Sequence, residues 1–320
     1  MKTLTINYLS HERPNFNIYW EITSNFINKI KNKESIKLNI LCSNDFDYES
    51  YISKDIEVSK FICNNYMEKI SIASKSDTEF AMKLDEDVFF SNFLFDKFIE
   101  ISKNPKNDGV YWPLISLNTR FADIFIKNFG FDQKKIIEIE NEFLKIKFKK
   151  NLWNQKRKYY RLNLHTIYSK KWNNLEFYKS VKKLTTQFKG IHPLRLSFST
   201  QKLINDYIEK NLDLLFENKK FDLVPFENIY VTSSCYVMKT EYFKEYLKLK
   251  AYDSFDEVQL NNFINNKKIN SFYIQNGFAI HTLFATAKGN KYGFGIEKQL
   301  AESYETNFVR RINKFINQKN

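Results

Sequence analysis

Asp85, Glu86 and Asp87 put three carboxylates in a row between the apolar runs AMKL and VFF. Anions flanked by apolar strand residues are costly to desolvate. A divalent cation offsets that cost, and Mg²⁺ or Mn²⁺ commonly takes one or two carboxylates, with substrate phosphates supplying further oxygens. Side chains two apart on an extended segment point the same way, so Asp85 and Asp87 are expected to converge on one ion or on its ribose-diphosphate ligand. A solvated turn after a strand gives the same triplet. Further along, Asp256-Glu257 precedes VQLNNFINN. A carboxylate there suits removal of a proton from an attacking hydroxyl. Asp256 with Gln259 also reads as a capping box, with Leu260, Phe263 and Ile264 as the buried face. That leaves Glu257 as the preferred base, although the helix dipole favours a first-turn acid in any case. His281 closes the apolar run NGFAIH, a place that a satisfied core or surface histidine would fill. The segment Lys288-Gly289-Asn290-Lys291, with Gly293 and Gly295, offers backbone amides and two ammonium groups to a diphosphate. An ordinary flexible loop has the same composition. Neither GxxxxGK[ST] nor GxGxxG occurs, so this is neither a P-loop nor a dinucleotide fingerprint.

These residues need elements to hold them. Residues 3–9 (TLTINYL) predict a short buried strand, followed by the loop SHERPN. Ile18, Ile22, Phe26 and Ile30 predict a helix from Asn15 to about Lys31. A second strand covers residues 36–42 and ends in the polar turn SNDFD. Tyr66, Ile70 and Ala73 predict a helix crossing back, AMKL a strand into the acidic turn, and residues 109–117 the next strand. Strands alternating with helices argue for an α/β chain with a parallel-type sheet and helices on both faces. Ligands of such sheets bind beyond the carboxyl ends of the strands, where Tyr8 to Arg13, Asn44-Asp45 and residues 85–87 fall. From 126 to 215 the chain is lysine-rich and helical in period, a basic helical insertion. Beyond it come a strand in NIYVTSSCYVM, helices in KTEYFKEYLKL and FDEVQLNNFINN, a strand in INSFYIQNGFAIHTLF, and an amphipathic tail, ESYETNFVRRINKFINQ. The expected divisions are 1–125, 126–215 and 216–320.

A 43% hydrophobic content excludes disorder. The net charge of +13 attracts polyanions: nucleic acid, anionic headgroups or nucleotide diphosphates. Cys42, Cys63 and Cys235 form no CxxC pair, so neither a zinc ribbon nor a disulfide framework is indicated, and a cytoplasmic setting fits. His11, Glu12 and Arg13 interrupt the N-terminal apolar run, which argues against a signal peptide. No stretch approaches the ~18 apolar residues of a spanning helix, so at a membrane the protein would lie on the inner face.

Taken in order, the acidic triplet, SSCYVMKTEYF, FDEVQL and NGFAIH resemble the bacterial glycosyltransferases of the GT-A type, a mixed Rossmann-like sheet flanked by helices, and are similar to family 2. The resemblance covers both ends of the chain but not the 126–215 insertion. Where that family usually shows Glu-Asp, this chain has Asp256-Glu257. The resemblance implies a Mn²⁺ or Mg²⁺ cofactor. It makes Asp87 the direct ligand, puts Asp85 on the ribose or a metal-bound water, and makes His281 the third ligand. It also implies that the donor nucleotide touches the ends of the first two strands and the acidic turn, with Tyr8, Arg13, Asp45, Lys83 and Glu86 as candidates, and that Lys288 and Lys291 close over the diphosphate. His11 falls near the nucleotide rather than on the metal. His165 and His192 belong to the insertion.

The expected activity is transfer of a sugar from a nucleotide-sugar donor to a hydroxyl of a glycan or lipid-linked glycan, with inversion. In the tail, Arg310, Arg311 and Lys314 beside Phe308, Ile312 and Phe315 suit either an anionic membrane surface or packing on the protein's own domain. Two other classes stay open. The stretch KRKYYR (156–161) has the mix used by single-stranded nucleic-acid binders, and a non-catalytic scaffold of the same fold is the third.

Overall fold

The computed structural model describes residues 2–116, 122–144, 198–217, 220–226, 233–248, 256–282 and 295–318. Its centre is β1 (Leu4–Leu9), six residues buried on both faces. Period-two alternation sends Tyr8 to one face and Leu9 to the other. Each meets a helix. On Tyr8's side lies α1 (Phe16–Asn28), whose Trp20 ring sits 4.8 Å from Tyr8 and 5.3 Å from Tyr48. On Leu9's side lies α2 (Tyr66–Ala73), whose Ile70 and Ala73 pack with Leu9, Leu41 and Cys63. The side chain of Asn65 caps α2 by accepting from the Glu68 amide at 3.0 Å.

Strands β2 (Ile36–Cys42) and β3 (Glu57–Ile62) extend the sheet on one side of β1, and β4 (Phe80–Asp85) lies on the other, all parallel. The strand order therefore reverses between β1 and β4, which opens a crevice at their carboxyl ends. Beyond β4 the sheet is antiparallel: β8 (Cys235–Lys239) pairs with β4 and with β6 (Val110–Ile115). Then come β9 (Ser271–His281) and β5 (Val88–Phe89), with β7 (Leu223–Pro225) pairing β9. Among the described residues the sheet has nine strands, ordered 3-2-1-4-8-6-9-5 with β7 off that path.

The class is thus α/β with a mixed sheet, less parallel than strand-helix alternation suggests. A partner that runs antiparallel leaves no mark on its own sequence, because β8 is buried and apolar whichever way it runs. Helix α3 (Asn92–Ser102) and strand β3 are further elements that the sequence reading passes over. In β3 the side chains are half-buried or exposed throughout, so edge position blurs its alternation. On β9, a Cβ at Gly277 would stand 2.8 Å from Ile274 Cγ2 and 2.9 Å from its Cβ, so the β-branched neighbour leaves room only for glycine.

The chain divides into two compact units. The first holds Met1–Leu114, Leu215–Glu227 and Thr232–Ile280, and the second holds Ile115–Leu214, Asn228–Val231 and His281–Asn320. In the second unit α4 (Ala122–Asn128), α5 (Gln133–Leu144), α6 (Phe198–Lys210) and α10 (Gly295–Gln318) are described. Phe308, Val309, Ile312 and Ile316 of α10 are buried, and Arg311 grips Glu209 of α6 with two hydrogen bonds of 2.5 and 2.9 Å. The tail's apolar stripe is therefore used in packing. No helix among the described residues is long and apolar enough to cross a membrane. The KRKYYR stretch, His165 and His192 lie outside the described residues.

Candidate functional site

The acidic turn follows β4 in the crevice beside β1, with Leu9 and Asp85 in register. The backbone fixes the turn from both sides. The Asp85 amide donates to Ser234 O at 2.9 Å and the Glu86 amide to Leu9 O at 3.1 Å. Its three carboxylates have three different fates.

Glu86 is fully buried. One oxygen accepts from the Ser10 hydroxyl at 2.9 Å, the His11 amide at 2.8 Å and the Glu12 amide at 3.0 Å. The other accepts from the Arg13 amide at 3.3 Å and faces its guanidinium at 3.6 Å. Burial raises the Glu86 carboxyl, against the lowering effect of Arg13 and Ser10. This carboxylate is fully engaged in shaping the loop after β1. Glu86 stands here as a positioning residue, where the sequence reading has it among the donor contacts. Tyr48 extends the chain of bonds by donating to Ser10 Oγ at 2.9 Å.

Asp87 is buried and paired with Arg13. Burial works against the Arg13 charge, but Asp87, Glu86 and Asp85 together raise its pKa. Asp85 is the most open of the three, its side chain 17% exposed, and it accepts from Lys83 Nζ at 2.7 Å. Lys83 is itself buried, bonds Ser233 O at 2.6 Å, and lies 5.7 Å from the centre of the Tyr66 ring. Asp85 and Asp87 are thus each neutralised by a different cation.

A third cation is Lys69. It is buried on α2, donates to Ser10 O and to Ser43 Oγ (2.9 Å), and has no carboxylate partner among the described residues. A charged amine stripped of water and left without a counter-ion is unusual, and here it faces the ends of β1 and β2. The sequence does carry a signal for it, since Lys69 interrupts the apolar stripe Tyr66, Ile70, Ala73.

His11 sits among these charges and stacks on Tyr66 with ring centres 5.9 Å apart. Burial, then Arg13, Lys83 and Lys69, lower its pKa to about 4. It is therefore neutral at physiological pH, a donor and acceptor rather than a cation. Glu12 adopts a left-handed φ of 51°, which costs about 1 kcal/mol for a non-glycine residue. Its carboxylate offsets that by accepting from the Ser43 amide, the Asn44 amide at 2.7 Å and the Asn44 side chain at 2.5 Å. The loop is so tied to the end of β2.

Other candidates fall elsewhere. Tyr8 is completely buried against Trp20, and its hydroxyl has no partner among the described residues. It lines the core beneath the crevice instead of presenting a surface to a donor, because β1 is covered on both faces. Asp45 is exposed and paired with Lys60 at 2.8 Å. Asp256 and Glu257 open α9 (Asp256–Lys267), but their side chains lie outside the described residues. Lys288 and Lys291 do as well. His281 ends β9 in the second unit, is buried, and donates its backbone amide to Ser116 Oγ at 3.0 Å.

Mg²⁺ and Mn²⁺ take hard oxygen donors, and Asp85 and Asp87 supply such oxygens two residues apart. Among the described residues no cluster of three or more His, Cys, Asp or Glu side chains converges on one point. With Asp85 on Lys83 and Asp87 on Arg13, the turn would take a cation only in the mode in which one or two carboxylates act together with phosphate oxygens of a bound substrate. It does not resemble a site that the protein closes alone. No protein-family model matches the chain, and no curated protein sequence matches it.

Proposed function

We propose that the chain is a glycosyltransferase of the GT-A type that moves a sugar from a nucleoside-diphosphate donor to a hydroxyl of a glycan acceptor. One observation carries the reading. At the carboxyl ends of β1, β2 and β4, where α/β sheets bind ligands, buried Lys69, buried Lys83 and half-buried Arg13 stand beside a turn bearing Asp85 and Asp87. Mixed charge of this kind suits a metal diphosphate, which presents anionic oxygens and a cation together.

In this reading Asp85 and Asp87 hold Mn²⁺ or Mg²⁺, which supplies neutralising charge to the leaving diphosphate. Arg13 exchanges part of its contact with Asp87 for a phosphate oxygen. Lys69 provides fixed positive charge at the floor of the crevice. Neutral His11, stacked on Tyr66, adds hydrogen-bonding capacity next to the nucleotide. Glu86 keeps the loop from Ser10 to Arg13 in the shape that aims these groups. Glu257 takes the proton from the acceptor hydroxyl. The acceptor is a surface glycan or lipid-linked glycan, and the work is done in the cytoplasm or at the inner face of a membrane.

A thermal-shift panel of nucleoside-diphosphate sugars with and without Mn²⁺ tests the reading. A donor at 100 times its Kd should stabilise the fold by roughly 2.7 kcal/mol, and only with metal present. Donor hydrolysis and metal dependence that persist unchanged in Asp87→Asn would refute it. Tight, salt-sensitive binding of single-stranded polynucleotide that ignores Mn²⁺ would move the protein into the nucleic-acid-binding class.

A further inference from the structure

The acids of the turn and the cations around them form a matched set. Asp85 accepts from Lys83 Nζ at 2.7 Å, Asp87 pairs with Arg13, and Glu86 faces the Arg13 guanidinium at 3.6 Å. Lys69 adds the third cation, donating to Ser10 O and to Ser43 Oγ at 2.9 Å. The charges of Arg13, Lys83, Lys69 and Asp87 are all felt by the one His11 imidazole, which puts them around a single space. Lys69, Lys83, Glu86 and Asp87 are buried, and the side chains of Asp85 and Arg13 keep 17% and 25% exposure. Within this group three positive charges meet three negative ones. Glu12 stands outside it. Its carboxylate is engaged by Ser43 and Asn44, both exposed, where water screens its charge.

A matched set of largely buried charges resists any change in its net charge, because an unanswered ion away from water is costly. A divalent cation that enters alone brings two positive charges and must first displace Lys83 or Arg13 from the carboxylate it holds. A diphosphate diester that enters alone brings two negative charges and leaves the opposite excess. Together the two restore the match. Asp85 and Asp87 turn to the metal, and the released ammonium and guanidinium turn to phosphate oxygens, where charge-assisted bonds replace the ones given up.

We infer that Arg13 and Lys83 form an electrostatic latch on the acidic turn, so that a divalent cation and a diphosphate diester bind as a pair and neither binds well alone. The inference rests on the reading that the turn takes a metal diphosphate, and it adds which residues make the two ligands depend on each other. By linkage, the factor by which the diphosphate raises the affinity for the metal equals the factor by which the metal raises the affinity for the diphosphate. The latch also has a consequence opposite in sign to that of an ordinary site residue: removing a cation from the latch makes the metal alone bind more tightly, because a carboxylate is released.

The test reads free Mn²⁺ by electron paramagnetic resonance as the full chain is titrated, alone and with UDP-glucose, GDP-mannose or dTDP-glucose, each against a blank without protein. Mn²⁺ alone should bind at least roughly 10-fold more weakly than in the presence of the best of the three nucleotides. Calorimetry should show that nucleotide tightening by the same factor when Mn²⁺ is added. Arg13→Gln removes a partly exposed charge and should raise the affinity for Mn²⁺ alone by about 10-fold while weakening the nucleotide alone, so that the coupling shrinks. Arg13→Lys keeps the charge and should restore most of the coupling, which a purely structural role of Arg13 does not predict. Lys83→Gln is the second variant and should act in the same direction as Arg13→Gln. Mn²⁺ that binds alone as tightly as with nucleotide overturns the latch and leaves the donor reading standing. An affinity for Mn²⁺ alone that is unchanged or lower in folded Arg13→Gln and Lys83→Gln does the same. Failure of Mn²⁺ and all three nucleotides to bind in any combination overturns the latch and the donor reading together.

Discussion

The two ends of the central sheet treat charge in opposite ways. At the carboxyl end, Lys69, Lys83, Glu86 and Asp87 are each 1% exposed or less, and Glu86, Asp87 and Lys83 are held by short bonds to one another's loops. At the other end, Lys31, Lys103, Glu100 and Asp222 are exposed, and a single carboxylate oxygen of Asp96 is hidden. The difference concerns what charge costs. A buried ion held by its partners makes its neighbourhood rigid. An exposed ion is screened and leaves its neighbourhood adjustable. The first suits a site that must hold a reactive ligand in one geometry.

The contrast is sharpest at Glu86. Glu86→Ala removes one acceptor from a hydroxyl and three backbone amides, and it should cost about 3–5 kcal/mol in urea denaturation. A loss no larger than that of a surface charge would erase the distinction between the two ends. Asp87→Ala should cost less, about 2–3 kcal/mol, because Arg13 keeps 25% side-chain exposure and recovers some hydration. Next comes pH. The folded pKa of His11, about 4, lies below its unfolded value of about 6.5. Its contribution is therefore fully present above pH 6.5 and is lost as pH falls toward 4. Allowing for its partial exposure, about 2 kcal/mol should disappear between pH 7 and pH 4.5. Glu86, whose pKa is raised chiefly by burial, acts in the opposite sense, losing its contribution as pH rises through its folded-state value. The measurement is therefore the difference between wild type and His11→Gln, and a parallel acid limb in both would show that His11 is not responsible. The smallest effect belongs to the far end. Lys97→Ala breaks a pair whose Glu100 is 70% exposed and should change stability by about 0.3 kcal/mol, as read from the same denaturation curves.

Part of this arrangement is legible in the sequence. Strand β2 occupies the predicted residues 36–42, and β1, α1 and α2 lie within a few residues of their predicted ends, because their apolar spacing is set by burial on one face or both. The crevice and its acidic turn are also placed correctly along the chain. The division of labour within the turn is not legible. Three adjacent acids look equivalent in a sequence, but the Glu86 amide reaches Leu9 O and turns its carboxylate under the β1 loop, while Asp87 meets Arg13. Tyr8 looks like a surface group at a strand end, yet Trp20 covers it. Lys69 is marked only by its place in an apolar stripe.

What the sequence determined by itself was local: which segments are strands or helices, and where acids gather after a strand. Those follow from periodicity, which each segment carries alone. Tertiary structure alone decided which carboxylate is spent on backbone amides and which cations stand beside the turn. Those depend on strand order and on contacts between residues as many as 150 positions apart, and the free energy of a buried charge is set by neighbours that no local pattern records.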